Sequence, residues 1–237
     1  MERELHFGMF HTGLEKGREG FEFALKNPAL DLFICECDYR GEVFDTQLRE
    51  IAAAGKKAFI TFSYLLFRRV SKEEMMVDVG GEYYAKCVLQ PDYRERLAEM
   101  KRKIAEAVGR PLDLWVVCYE DKLDSIPNIE EYLRVFDVIT YWTWKGSELS
   151  RIEKNLARIR KMAPNARILC GCYMWNYGEH CALTRAHMEY QTDLYLRMMR
   201  AGEIEGIVVC SNCIADLGIE NVEYMREWIA AHKDEVL

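Results

Sequence analysis

The feature that most constrains the fold is a repeated unit, in which a short β-rich run precedes an amphipathic helical pattern. Most of the runs are nearly continuous in apolar residues, as expected for parallel strands covered on both faces. Strict alternation of strands and helices predicts an α/β fold with a parallel sheet and right-handed crossovers. The predicted strands are Leu5–Phe10, Asp31–Cys37, Lys57–Tyr64, Leu112–Tyr119, Phe136–Trp142, Arg167–Tyr173 and Gly206–Ser211.

A closed barrel and an open doubly wound sheet both satisfy this alternation. No Gly-x-Gly-x-x-Gly follows the first run and no Gly-x-x-x-x-Gly-Lys-Ser/Thr occurs, so the usual nucleotide-binding reasons for an open sheet are missing. We therefore expect a TIM-type (β/α) barrel of seven or eight parallel strands. The eighth strand would lie within Glu82–Leu89, or the barrel is incomplete. Residues 1–237 are expected to form one domain, with a long loop insertion near 66–91.

The composition excludes several classes of protein. The net charge of −7 argues against a nucleic-acid partner, which would require an excess of Lys and Arg. No apolar run approaches the roughly 18 residues of a membrane span, and residues 1–5 lack the hydrophobic region of a signal peptide. We expect a soluble, cytoplasmic protein without a membrane partner, and its oligomeric state is left open.

The nine cysteines predict neither a disulfide framework nor a metal centre. Their number is odd, and the pairs Cys35/Cys37 and Cys170/Cys172 lie inside predicted strands. Cys210-x-x-Cys213 spans a strand end without a second pair that could complete a zinc site. We expect buried thiols that behave as small apolar groups, no bound metal and no cofactor.

Acidic, amide and aromatic residues collect at the ends of the predicted strands. Barrel enzymes place their reacting groups at this end. Aromatic faces stack on sugar rings, and polar side chains hydrogen-bond to sugar hydroxyls, so the enrichment points to a small-molecule or oligosaccharide substrate; large core residues closing the barrel would produce the same pattern. The candidate substrate-binding residues are His11, Tyr64, Tyr119, Trp142, Trp144, Trp175, Asn176 and Asn212.

Four carboxylates are candidate catalytic groups. Glu36 and Asp38 share one face of the second strand by period-two alternation, and a carboxylate in an apolar strand is costly unless it is paired or functional. Glu120 and Asp121 directly follow the fourth strand, and only one of them can face inward. Two carboxyl groups flanking a glycosidic bond can serve as acid and nucleophile or as acid and base.

Three segments resemble those of glycoside-hydrolase-like (β/α)-barrel proteins of unsettled function. QPDYRERLAEMKRKIAEAVGRPLDLWVVCYED is similar to the helix and fourth strand of many (β/α)-barrel glycoside hydrolases. FDVITYWTW and ILCGCYMWNYG resemble the aromatic sugar-binding strands of glycoside-hydrolase-like proteins without a settled function. The resemblance covers roughly residues 90 to 230, and it implies an acid/base glutamate after a mid-barrel strand, which falls on Glu120.

The late strands depart from that family pattern. Retaining members with two glutamates carry the nucleophile on a late strand, whereas here those strands end in Asn176 and Asn212. Under the resemblance, Glu179 or Asp216 would replace the nucleophile, the substrate would assist the reaction, or catalysis has been lost.

Three functions are therefore carried forward. The first is a carbohydrate-active hydrolase with Glu120 as general acid and Glu36, Asp38 or Asp121 as its partner. The second is a metal-dependent sugar isomerase or epimerase with His11, Glu36, Asp38 and Glu120 as ligands. The third is a non-catalytic carbohydrate-binding barrel.

Overall fold

The computed structural model describes residues 6–11, 18–28, 30, 32–36, 42–61, 75–79, 82–85, 93–111, 113–210, 214 and 217–236. Strands and helices alternate along most of this length. The strands are β1 (His6–His11), β2 (Leu32–Glu36), β3 (Lys57–Thr61), β4 (Met75–Val79), β5 (Glu82–Ala85), β6 (Trp115–Tyr119), β7 (Val138–Trp142), β8 (Arg167–Tyr173), β9 (Trp175–Asn176), β10 (Cys181–Ala182) and β11 (Gly206–Cys210).

The helices follow the predicted positions closely, and one four-residue helix, α4, was not predicted. The helices are α1 (Arg18–Lys26), α2 (Glu42–Ala53), α3 (Tyr93–Val108), α4 (Lys122–Ser125), α5 (Ile129–Leu133), α6 (Ile152–Met162), α7 (Arg185–Arg200) and α8 (Glu220–His232), with a 3-10 helix at Gly146–Arg151.

Seven strands form one sheet in the order β3-β2-β1-β11-β8-β7-β6, and every neighbouring pair is parallel. Each strand corresponds to one of the seven predicted runs. The prediction of a parallel α/β sheet is therefore confirmed, and β7, β8 and β11 are buried almost throughout, as expected for apolar strands covered on both faces.

The strand order decides between the two architectures. Along the chain, β1, β2 and β3 advance towards one edge of the sheet, and β6, β7, β8 and β11 advance in the same direction from the other edge. Right-handed crossovers that all run one way place their helices on one face. The other face is buried only if the sheet curls around it, which is the TIM-type (β/α) barrel that the sequence predicted.

The weak run at 82–89 does form a strand, but it does not join this sheet. In the described residues, β5 pairs antiparallel with β4 in a separate two-stranded sheet. Only Gly80 and Gly81 separate the two strands, and a two-residue connection allows an antiparallel hairpin but no parallel crossover. The expected loop insertion thus contains a hairpin rather than an eighth barrel strand.

Contacts around β7 distinguish the two faces of the barrel wall. The Tyr141 hydroxyl receives a hydrogen bond from Asn155 Nδ2 of α6 at 3.0 Å, so Tyr141 faces the helices. Side chains alternate along a strand, so the next residue, Trp142, faces the lumen. Tyr119 of β6 is level with Trp142 in the parallel register and shares that face.

The lumen is packed at Trp142, whose side chain is only 3% exposed. A Cβ atom added to Gly171 of β8 would lie 2.0 Å from Cδ2 of the indole, so the ring occupies the space that any larger residue would need. On the opposite face of β8, Cys170 and Cys172 are fully buried, and burial raises the pKa of both thiols. These thiols behave as core residues, as expected.

The segment that leads into α6 is wound more tightly than an α-helix. Residues Gly146–Arg151 form a 3-10 helix, and α6 starts at Ile152. The Ser147 hydroxyl donates to Glu179 Oε1 at 2.5 Å. This tighter segment brings the side chains of residues 148 and 151 to the end of β6.

Candidate active site

The rim of the barrel beyond β6 and β7 holds a buried carboxyl group. Glu120 directly follows β6, and its backbone N–H donates to the carbonyl of Trp142 at 2.9 Å, which extends the strand ladder by one residue. Its side chain has the parity of Cys118, which is level with Tyr141, and therefore points to the helix side of the wall. Glu120 is only 6% exposed.

The two carboxyl oxygens of Glu120 have different surroundings. Oε1 lies 3.6 Å from Arg151 Nη1 and 3.5 Å from Asn155 Nδ2. Oε2 is buried. A side-chain hydrogen bond with Glu148 helps Glu120 to keep its proton, so the two carboxyl groups act as a pair beside the cleft.

These surroundings raise the pKa of Glu120 to about 7. Burial is the main cause, because it disfavours the charged form, and the nearby charge of Glu148 adds to the effect. Arg151 opposes the shift. A carboxyl group with this pKa is protonated in a large fraction of molecules near neutral pH, as a general acid must be.

Glu148 was not among the predicted site residues. Its Oε1 lies 3.6 Å from Arg151 Nη1, the same nitrogen that is 3.6 Å from Glu120 Oε1. The two carboxyl oxygens are therefore no more than twice that distance apart. In the sequence, Glu148 and Arg151 look like an exposed i,i+3 pair on a helix, and no signal indicated that this helix lies against β6.

Asp121 takes a different position from its neighbour. Its side chain is 59% exposed and lies 2.9 Å from Lys122 Nζ. The sequence left open which of the two adjacent carboxylates is buried, and the structure buries Glu120. Asp121 remains at the edge of the cleft described next, as the exposed partner of Lys122, whose own side chain is buried.

An open cleft of about 670 Å³ lies beside Glu120. It is bounded by the ends of β6 and β7, by α4, and by the 3-10 helix with the first turns of α6. The loop after β9 closes its far side. The lining residues are Glu120, Asp121, Lys122, Asp124, Trp144, Lys145, Glu148, Arg151, Lys154, Asn155, Arg158, Tyr177, Gly178 and His180.

Two half-buried aromatic side chains line the cleft, Trp144 and Tyr177. The Trp144 ring lies 5.1 Å from the ring of Tyr119 and 6.4 Å from that of Tyr177, measured between centroids. Tyr173 packs beneath them, 5.0 Å from Tyr177. Of the predicted aromatic residues, Trp144 thus lines the cleft and Tyr119 lies next to it. Tyr177, which also lines the cleft, was not among the predicted residues.

Trp142 and Trp175 do not line the cleft. Trp142 is buried and its ring lies 4.6 Å from that of Tyr173, so it supports the aromatic group from below. Trp175 lies in β9, opposite Ala182 of β10. Of the three predicted tryptophans, Trp144 alone therefore lines this cleft.

Asn176 is used within the protein. It is 3% exposed, its side-chain amide donates to Glu179 Oε2, and its Oδ1 accepts from the backbone N–H of Glu179 at 3.2 Å. Ser147 also donates to Glu179, and these hydrogen bonds lower the pKa of Glu179. Asn176 and Glu179 thus fasten the loop after β9 to the 3-10 helix.

Five predicted site residues cannot be placed at the cleft. The structure gives the backbone of His11 at the end of β1 and of Glu36 at the end of β2, where Glu36 is level with Thr61. Their side chains, and the whole of Asp38, Tyr64 and Asn212, lie outside the described residues. Their predicted roles stay predictions.

No protein-family model and no curated protein matches the chain. Among solved structures, it is similar to a ligand-free tryptophan synthase from M. tuberculosis, with a TM-score of 0.49 and 14% sequence identity. The likeness covers 97% of this chain and 93% of that chain. The fold assignment rests on the strand order, and none of the comparisons supports the resemblance to glycoside hydrolases.

Two further findings concern membranes and metals. Among the described residues, no helix has the length and apolar character needed to cross a bilayer. Within the same residues, no group of three His, Cys, Asp or Glu side chains is arranged to hold a metal ion.

Proposed function

We propose that this cleft is the active site of a carbohydrate-active hydrolase, in which Glu120 protonates the leaving oxygen of a glycosidic bond. The observation that carries the proposal is the state of Glu120, a carboxyl group that lines an open cleft beside Glu148 and whose pKa is raised to about 7. A general acid needs both a retained proton and access to the substrate.

Glu148 is the second carboxyl group in this scheme. In the sequence analysis the partner was sought in Glu36, Asp38 or Asp121, but among the described side chains Glu148 faces Glu120 across Arg151. Paired carboxyl groups are about 5 to 5.5 Å apart in retaining glycosidases and about 6.5 to 9.5 Å in inverting ones. The shared contact with Arg151 is compatible with both separations. The anomer of the first product therefore distinguishes a retaining from an inverting mechanism.

Trp144 and Tyr177 supply a surface for the sugar. Both are half-buried at the cleft and are braced by further rings, which fixes their orientation. A rigid aromatic face suits the C–H face of a pyranose, while Lys145 and His180 at the same cleft can reach hydroxyl groups.

The test is hydrolysis of a panel of aryl glycosides by the wild-type protein and by Glu120→Gln. Removal of a general acid typically costs about 10²- to 10⁴-fold in rate. The loss should be large for alkyl or methylumbelliferyl leaving groups and small for 2,4-dinitrophenyl, which departs without a proton. Glu153→Gln is the matched control, since Glu153 is exposed on α6, does not line the cleft and pairs with the exposed Arg197, and we expect it to change the rate less than about twofold.

Three outcomes count against the proposal. An equal loss with both leaving groups would remove Glu120 from the acid role. Turnover of a confirmed substrate that survives Glu120→Gln would remove it from catalysis altogether. Binding of sugars without any turnover would favour the non-catalytic barrel.

No specific observation favours a metal-dependent isomerase. Three of its four expected ligands, His11, Glu36 and Asp38, have side chains outside the described residues. The fourth, Glu120, has Arg151 and Asn155 beside Oε1. One further carboxyl group, Glu148, is its neighbour, and no third candidate ligand joins them among the described residues.

A further inference from the structure

The cleft has a charge balance opposite to that of the chain. The whole sequence carries 32 Lys and Arg against 39 Asp and Glu. The cleft is lined by five Lys or Arg and four Asp or Glu, and one of the four, Glu120, is partly protonated near neutral pH. A locally positive cleft on an acidic protein attracts anions from solution.

The cations include a line of residues on one helix face. Arg151, Lys154 and Arg158 follow the i, i+3, i+7 spacing that places side chains on one side of a helix, and all three line the cleft. They belong to the segment that runs from the end of the 3-10 helix into α6.

Two of these three cations already have carboxylate neighbours. Arg151 lies 3.6 Å from both Glu120 and Glu148, and Arg158 Nη2 lies 2.8 Å from Asp124 Oδ1. Lys154 is exposed, and no ion pair joins it to any residue in the part of the chain that the structure describes. The helix face thus has one uncompensated positive charge at its middle.

We infer that the ligand of this cleft is an anionic sugar, whose carboxylate or phosphate is bound by Lys154 between Arg151 and Arg158. The inference rests on the proposed function for the sugar itself and adds the chemical class of its substituent. Uronic acids and sugar phosphates share this chemistry, because each presents an anionic group beside an otherwise neutral ring. Arg side chains bind either group with paired hydrogen bonds, while Lys acts as a point charge.

The experiment compares matched ligands by isothermal titration calorimetry. Methyl glucosides and galactosides of both anomers are measured beside the corresponding uronides and 6-phosphates. We expect at least one anionic ligand to bind roughly 5- to 10-fold more tightly than its neutral counterpart, and this ratio should fall as salt is added. The uronide and 6-phosphate arms show which anion is preferred.

Lys154→Met should reduce that ratio to about one. Lys161→Met is the matched control, since Lys161 is an exposed lysine two turns further along α6 that does not line the cleft. It removes the same charge from the chain and should leave the ratio unchanged. Ratios below about two in every matched pair, or a preference that survives Lys154→Met, would overturn the inference.

The outcome separates the two proposals. Hydrolysis of neutral glycosides that depends on Glu120, without anion preference, leaves the proposed function standing and rejects the anionic substrate. Anion preference that depends on Lys154, without turnover of any glycoside, keeps the binding site and rejects the hydrolase.

Discussion

The lumen face and the helix face of the β6–β7 wall end in different chemistry, although the same two strands form both. The lumen face ends in rings, with Tyr119 level with Trp142. The helix face ends in Glu120, which approaches the polar side chains of Arg151 and Asn155. On the helix side, Glu120 has a guanidinium and an amide as neighbours among the described residues, and these offset part of the cost of burying a carboxyl group.

The largest expected effect tests the packing role of the lumen face. Trp142→Ala should destabilise the fold by about 3 to 5 kcal/mol, because it empties a buried site against Gly171. Trp144→Ala should cost clearly less, since Trp144 is only half-buried at the cleft. Urea denaturation measures both, and equal losses would show that the two rings share one role.

The next effect tests the helix face through its pH dependence. The pKa of Glu120 is raised from 4.5 to about 7 in the folded state, so Glu120 destabilises the fold as pH rises through this interval. Glu120→Gln removes that ionisation and should be more stable than the wild type at pH 8, by up to about 3 kcal/mol, and nearly equal to it at pH 4.

Denaturant titrations of both proteins at pH 4, 6 and 8 measure this difference. A stability difference that stays constant from pH 4 to pH 8 would mean that burial and Glu148 do not raise the pKa of Glu120 in solution. A difference of opposite sign would place Glu120 in a stabilising ion pair with Arg151.

A smaller effect tests the close approach of β8 to the indole. Gly171→Ala places a methyl group where the Trp142 ring lies and should cost about 1 to 3 kcal/mol. Combining it with Trp142→Phe should recover part of that loss, because the smaller ring leaves room. Strict additivity of the two changes would contradict the contact.

The smallest effect contrasts the two adjacent carboxylates. Asp121→Asn removes an exposed carboxylate from beside the buried Lys122 ammonium and should cost about 1 kcal/mol. A loss comparable with the Glu120 effect would show that Asp121 contributes more than its exposure indicates. The same denaturant titrations provide the comparison.

The barrel could be predicted because each of its strands and most of its helices are indicated by the residues of that segment alone. Each strand is an apolar run between turn signals, and the alternation of runs with helices restricts the topology. The hairpin of β4 and β5 was missed because the run at 82–89 was considered only as an eighth barrel strand. The two glycines between the strands, Gly80 and Gly81, were a usable signal for antiparallel pairing.

The site could be predicted only in part, because it depends on contacts between distant segments. The position after β6 identified Glu120 and Asp121, but parity alone could not tell which one is buried until Tyr141 fixed the helix side. No sequence pattern indicated Glu148 as a site residue, because its position beside Glu120 depends on a 3-10 helix that the helical pattern did not predict.

Arg151 couples the binding of a ligand in the cleft to the protonation of Glu120. The guanidinium lies between two acids with 62% of its side chain exposed, and its charge lowers the pKa of Glu120 against burial and the charge of Glu148. An anion that draws Arg151 towards itself withdraws this influence, so Glu120 takes up a proton as the ligand arrives. By reciprocity, affinity for such a ligand declines with increasing pH over the interval in which Glu120 ionises.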